Sequence, residues 1–214
     1  MTKCKIDFSY DWKAIDKNAY VPFFVVLLLI GYSYLRMNAM THILPALEFV
    51  FPVFAAWWSI FIFQDILEEP GSEITFSYPI SRWQLGIYRV AIFFILYLII
   101  MLMMLMMIDY LCTDNIFVPL FIQLGAESFF FAGLGFLSMT LTRNTGWSLT
   151  IVIVYTSIQI LTKGQMFPLI NIYLFNEKML KISELWTSAA YTILLGSILW
   201  VSAQIILNKL QKFN

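Results

Sequence analysis

The chain has 214 residues, of which 61% are hydrophobic and only 12% are charged, and its mean hydropathy is +0.81. Soluble domains carry about 25% charged residues, so this composition excludes an ordinary soluble protein. The 13 basic and 13 acidic residues balance, which gives no general attraction to nucleic acid. We therefore expect an all-α, polytopic membrane protein with a single domain embedded in lipid.

The first element in chain order is a short amphipathic stretch. Phe8, Trp12 and Ile15 recur at helical spacing, and charged residues, Asp11 among them, surround them. This pattern predicts an N-terminal helix that lies in the membrane interface with its polar face toward water. A disordered tail is the alternative.

Six apolar runs follow, and each is close to the length of about 20 residues that crosses a bilayer as a helix. The clearest run contains no charge, Gly or Pro, whereas Pro45 and Pro52 interrupt the second run. The predicted spans cover residues 20–35, 43–63, 90–108, 116–141, 147–161 and 191–207.

The basic residues predict the orientation of these spans, because cytoplasmic flanks are enriched in Lys and Arg. If both termini are cytoplasmic, the cytoplasmic side carries Lys3, Lys5, Lys13, Lys17, Arg82, Arg89, Arg143, Lys209 and Lys212. The external side then carries only Arg36, Lys163, Lys178 and Lys181. We therefore predict a multi-pass protein of the bacterial plasma membrane with cytoplasmic termini, a cytoplasmic Cys4 and an external Cys112.

Motifs for catalysis or cofactor binding are missing from the sequence. It contains no GxxxxGK[ST] phosphate-binding loop and no HExxH pair, and His42 is its only histidine. We therefore expect no catalytic residue, no metal and no cofactor in this chain. Such a chain can use ATP only through a partner protein.

Polar residues inside the predicted spans are candidates for a substrate path, because intramembrane carboxylates are costly and face protein or water. Glu127 lies near the middle of span four, and Gln123 lies one turn earlier on the same helix face. Glu48 lies near the outer end of span two, where we expect it to reach water. Packing against a neighbouring helix, or simple protonation, is the alternative for Glu127. Gly133 and Gly135 predict a close helix approach in span four.

Two connections are longer than the others. The external one, residues 162–187, is semi-apolar and could form helices that rest in the outer interface. The cytoplasmic one, residues 64–89, contains Glu68 and Glu69, which we expect to form a solvated acidic turn.

The cytoplasmic connection has the pattern of a bent, presented segment. Pro70 and Gly71 break the helix that leaves span two, and Pro79 marks a second break. Ser81 and Gln84 have the spacing of a capping box just before span three. An ordinary loop with good caps is the alternative.

This connection resembles the cytoplasmic loop of type-2 ABC transporter permeases, the membrane subunits of a class of bacterial exporters. In that loop an acidic residue and a Gly precede a short helix, and a Pro-x-Ser-Arg stretch leads into span three. The six spans and the Gly-rich end of span four, residues 133–138, extend the resemblance. The residues that match the loop pattern are Glu69, Gly71, Glu73, Pro79, Ser81 and Arg82, with Arg89 where a basic residue usually follows.

The resemblance implies that residues 72–76 form a coupling helix, which docks in a groove of a separate ATPase subunit that holds ATP and Mg. Two membrane subunits, identical or paralogous, would pair with two ATPases and export a substrate. A peptide, an antibiotic, a lipid or another small molecule remains open as that substrate. The alternative function is a membrane-embedded immunity or scaffold protein that binds a partner without transport. An intramembrane enzyme is a weaker rival, because the chain has one histidine and scattered carboxylates.

Overall fold

The structure is a computed structural model of the chain. It describes residues 8–36, 40–69, 81–112, 116–175 and 182–210. Within these ranges every regular element is helical and no β-strand occurs, which confirms the predicted all-α class.

Nine α-helices lie within the described ranges, joined by two 3-10 helices and one π-helical turn. The 3-10 helices cover Asp16–Tyr20 and Pro168–Ile170, and the π-helical turn covers Gln84–Tyr88. The α-helices are α1 (Phe8–Ile15), α2 (Val21–Leu35), α3 (Met40–Val50), α4 (Val53–Phe61), α5 (Gln64–Leu67), α6 (Arg89–Cys112), α7 (Phe117–Thr142), α8 (Thr145–Thr162) and α9 (Ile182–Lys209).

Six helical stretches are long and apolar enough to cross a membrane, which confirms the predicted number of spans. They are Phe8–Leu35, His42–Phe61, Gln84–Leu111, Phe117–Thr142, Thr145–Thr162 and Glu184–Lys209. The chain passes back and forth between two ends of the bundle. We call the end where α5 and the start of α6 lie the Arg89 end, and the end where α8 finishes the strap end.

The second span is broken into α3 and α4 by proline. Pro52 has no N–H to continue the helical hydrogen bonding, so the chain tightens here. The amide of Phe54 donates to the carbonyl of Phe51 at 3.1 Å, and the Tyr97 hydroxyl from α6 donates to the same carbonyl. A neighbouring helix therefore supplies a hydrogen bond to the Phe51 carbonyl at the break, where a backbone carbonyl in an apolar environment needs a partner.

Helix α7 lies at the centre of the bundle and packs against α4, α6, α8 and α9. A Cβ added at Gly133 would lie 2.6 Å from Trp200 Cδ1 of α9, and one at Gly135 would lie 2.7 Å from the Ala56 carbonyl oxygen of α4. Both distances are below any van der Waals contact, so the two glycines permit the close helix approach that the sequence predicted.

Candidate functional site

The described residues of the predicted coupling segment, Glu69, Ser81 and Arg82, lie at the Arg89 end, after α5 and before α6. Gly71, Glu73 and Pro79 lie outside the described residues. Glu69 is exposed at the point of exit, and Ser81 is exposed at the point of return.

The exit is fixed to the start of α8 through Glu68. One carboxylate oxygen accepts from Asn144 Nδ2 at 2.9 Å, and the other accepts from the Thr145 amide at 3.0 Å. An acidic side chain at this position satisfies free N–H groups at a helix N-terminus. Glu68 is therefore a partly buried cap of α8, and the expectation of a solvated acidic turn is wrong for this residue.

The return differs from the predicted capping box. The Ser81 carbonyl accepts from the Gln84 and Leu85 amides. Within the described residues, neither the Ser81 side chain nor the Gln84 side chain caps a backbone amide of the other residue. Instead, the chain forms the π-helical turn, in which Gly86 has a non-helical φ of −95° and ψ of −108°.

Gln204 of α9 fits into this turn. Its Oε1 accepts from the Ile87 amide at 2.9 Å, and its Nε2 donates to the Arg82 carbonyl at 3.2 Å. The Arg82 guanidinium donates to the Asn208 carbonyl. The return is thus bonded to the end of the last span. Gln204 was not among the predicted site residues, although a glutamine inside an apolar span is a recognisable signal.

A buried ionic group surrounds Arg89, which is 3% exposed. Its Nη2 lies 2.7 Å from Asp11 Oδ1 of α1 and 3.6 Å from Asp65 Oδ2 of α5. The expectation that Asp11 faces water on an interfacial helix is therefore wrong, because the carboxylate is 4% exposed and paired. Trp12 of the same helix stacks on Phe93 of α6, so this face of α1 is docked on the bundle.

Burial raises the pKa of Asp65, and the attraction of Arg89 only partly opposes this effect. Proton uptake by Asp65 therefore stabilises the fold at low pH. That contribution is lost as the pH rises through the pKa of the folded state.

The three predicted substrate-path residues meet on the other half of the bundle. Gln123 Nε2 donates to Glu127 Oε1 at 3.1 Å, as expected for residues one turn apart. Glu48 was expected to reach water, but it is 3% exposed. It also lies close enough to Gln123 and Glu127 to interact with both electrostatically. We call Glu48, Gln123 and Glu127 the carboxylate cluster.

Glu48 is buried because the chain after α8 folds back over it. Residues 163–175, which we call the strap, contain the 3-10 helix and an extended stretch. The amides of Leu174 and Phe175 donate to Glu48 Oε1 at 2.6 and 3.2 Å. Tyr173 packs edge-on against Phe49 and is buried, and this burial raises the pKa of its hydroxyl, which stays neutral.

Hydrogen bonds from the neighbouring helices hold the rest of the strap. The Tyr155 hydroxyl of α8 donates to the Ile170 carbonyl at 2.6 Å, and the Tyr191 hydroxyl of α9 donates to the Leu169 carbonyl. The strap therefore joins α3, α8 and α9. The sequence predicted a semi-apolar connection in the outer interface and carried no signal for its return to Glu48.

Comparisons with protein-family models, with curated proteins and with solved structures find no match to this chain. The molecule is an all-helical chain with six helices able to span a membrane. It has an anchored connection at one end and a buried carboxylate cluster beneath a strap at the other.

Proposed function

We propose that this chain is the membrane-spanning permease subunit of an ABC-type exporter in the bacterial plasma membrane. A separate ATPase subunit would bind ATP and Mg and would drive the movement of a substrate. The cargo is a peptide, an antibiotic, a lipid or another small molecule. The resemblance of residues 64–89 to the permease loop motivates the proposal.

The observation that carries it is the anchoring of both ends of this connection. Glu68 bonds the exit to the start of α8, and Arg82 bonds the return to the end of α9. Arg89 then joins α6 to α1 and α5. A force applied to residues 69–82 would act directly on several spans, as coupling to a partner requires.

The same proposal implies which partners this chain has. The proposed assembly has two membrane subunits, either copies of this chain or paralogues, and two ATPases. Helix α8 offers an apolar surface for a second membrane subunit or for lipid. Only 17% of the residues in Thr145–Thr162 are buried, and Ile153 and Val154 are exposed. No role in nucleic-acid binding is proposed.

The proposal is tested by charge reversal on the segment. The Glu73→Lys variant should reach the membrane at wild-type level, because position 73 lies outside the six spans. Like charges placed together at an interface cost several kcal/mol, so association with the ATPase should weaken at least about tenfold. The measurement is co-purification of an ABC ATPase in mild detergent.

Glu184→Lys is the matched control, since Glu184 is an exposed glutamate in the first turn of α9, at the strap end. It should leave association unchanged. Full association after both Glu73→Lys and replacement of residues 72–76 by Gly and Ser would contradict the proposal. Binding of another partner without any ATPase would favour the immunity or scaffold alternative.

A further inference from the structure

Two carboxylates are buried together on the strap half of the bundle without a compensating cation. Glu48 is 3% exposed and Glu127 is 2% exposed. Within the described residues both ion pairs are formed by Arg89, and neither glutamate pairs with a Lys, Arg or His. Two like charges this deep in a membrane protein are strongly unfavourable, so at least one is neutralised by a bound proton or cation.

The hydrogen bonds distinguish the two side chains. Glu48 Oε1 accepts from two backbone amides of the strap, an arrangement that suits an ionised carboxylate. Glu127 Oε1 accepts from Gln123, whereas the buried Oε2 of Glu127 has no hydrogen-bond partner among the described residues. An O–H group on Oε2 would be a donor that still needs an acceptor.

A small cavity beside Glu127 provides room for that acceptor. Its volume is about 10 Å³, and its polar lining comprises Gln123, Glu127, Ser188 and Thr192. This volume corresponds to about one water molecule, and the lining supplies the hydrogen-bonding groups that a buried water needs. The cavity has no room for a cargo molecule.

We propose that Glu127 is a proton-binding site, with the proton on Oε2 facing one water in this cavity, and that the strap controls its exchange. Ile172 and Leu174 of the strap line one wall of the cavity. When the strap is displaced, the O–H bond of Glu127 breaks, its electron pair stays on the carboxylate, and the proton passes to the cavity water and then to solvent. Proton binding at this site does not depend on an ATPase partner.

The titratable groups that face the site come from every neighbouring element. They are Glu48 of α3, Tyr155 of α8, Tyr173 of the strap and, next to Tyr155, Tyr191 of α9. Tyrosine hydroxyls ordinarily titrate at about pH 10, so the pH response below that range belongs to the two carboxylates. The docked strap binds one proton more than the displaced strap, so the displaced fraction should rise by up to about tenfold per pH unit.

The test follows strap docking by thiol labelling of the full chain in lipid vesicles, with Cys4 and Cys112 replaced by Ser. The Ile172→Cys variant reports docking, because Ile172 is 2% exposed. The Leu169→Cys variant is the matched control on the same strap, because Leu169 is 79% exposed. Its labelling rate measures how thiol ionisation alone increases labelling as the pH rises. The labelling rate at position 172 relative to position 169 should be low at acidic pH and should rise with pH.

Adding Glu127→Gln, which mimics the protonated side chain, should keep the relative rate low at every pH. Glu184→Gln, at an exposed glutamate, should leave the pH response intact. A relative rate independent of pH in the wild-type background, or an unchanged response with Glu127→Gln, would overturn the proposal. Protection by Na⁺ at constant pH would replace the proton with a metal cation and would also overturn it.

Infrared spectroscopy provides a second measurement that needs no cysteine variant. At neutral pH the wild-type protein should show the C=O band of a protonated carboxyl group, and Glu127→Gln should remove it. Glu184→Gln should not. If the band is missing from the wild type, Glu127 carries no proton and the proposal fails.

Discussion

At the scale of single residues, the fit between Gly86 and Gln204 decides how the third span begins. The π-helical turn disturbs the regular i→i−4 pattern, and Gln204 supplies an acceptor for the Ile87 amide and a donor for the Arg82 carbonyl. The approach is possible only because residue 86 has no Cβ. An added Cβ would lie 2.0 Å from Gln204 Oε1.

Gly86→Ala should therefore destabilise the protein by about 1–3 kcal/mol, the range found for overpacked sites. Gly31→Ala is the control, since nothing lies within 4 Å of its added Cβ and Ala favours a helix by up to about 1 kcal/mol. Thermal unfolding in detergent, followed by tryptophan fluorescence, compares the two. Equal stability of both variants would show that Gln204 moves away without cost.

The residues of the carboxylate cluster show what a sequence can and cannot predict about a site. Gln123 and Glu127 lie four positions apart on one helix, so helical geometry alone predicted their contact. Glu48 was misplaced because the atoms that bury it, the amides of Leu174 and Phe175, lie 126 and 127 positions away along the chain. Backbone amides leave no signature in residue type, so such a contact cannot be predicted locally.

At the scale of elements, the number of spans was predicted because each apolar run is long enough to form one membrane helix. Span five was predicted at residues 147–161 and α8 covers Thr145–Thr162. The docking of α1 was not predicted, since the pattern of Phe8, Trp12 and Ile15 fits both an interfacial helix and one packed on a bundle. The buried pair of Asp11 with Arg89 is what distinguishes the two.

The stability of helix α8 depends on the hydrogen bonds that Glu68 accepts at its start. Glu68→Ala should lower the free energy of unfolding by about 1 kcal/mol, because the Thr145 amide loses its acceptor at the helix start. Glu69→Ala is the neighbouring control and should stay within about 0.5 kcal/mol of wild type, since Glu69 is exposed. The same loss of stability in both variants, measured by thermal unfolding, would contradict a specific cap.

At the scale of the whole molecule, the orientation in the membrane rests on the basic residues that flank the spans. A membrane-impermeant thiol reagent applied to intact cells should label the protein through Cys112 and not through Cys4. Cys4→Ser should keep the labelling and Cys112→Ser should abolish it. Labelling through Cys4 in sealed cells would reverse the orientation and would place the anchored connection outside the cell.

The two ends of the connection at the Arg89 end are bonded to spans that extend toward the strap end. Arg82 and Gln204 tie the connection to α9, and α9 in turn packs against α7 through Gly133 and Trp200. Helix α7 carries Glu127. A displacement at the connection can therefore reach the carboxylate cluster through helices in direct contact.

The most direct measurement of the central claim is ATP turnover by the proposed partner ATPase, reconstituted with this chain in lipid. Wild-type chain should change the rate of ATP hydrolysis relative to the ATPase alone. A variant with residues 72–76 replaced by Gly and Ser should remain in the membrane and should no longer change that rate. Glu184→Lys should behave as wild type. If the Gly and Ser variant changes ATP turnover as the wild type does, the connection does not couple this chain to an ATPase.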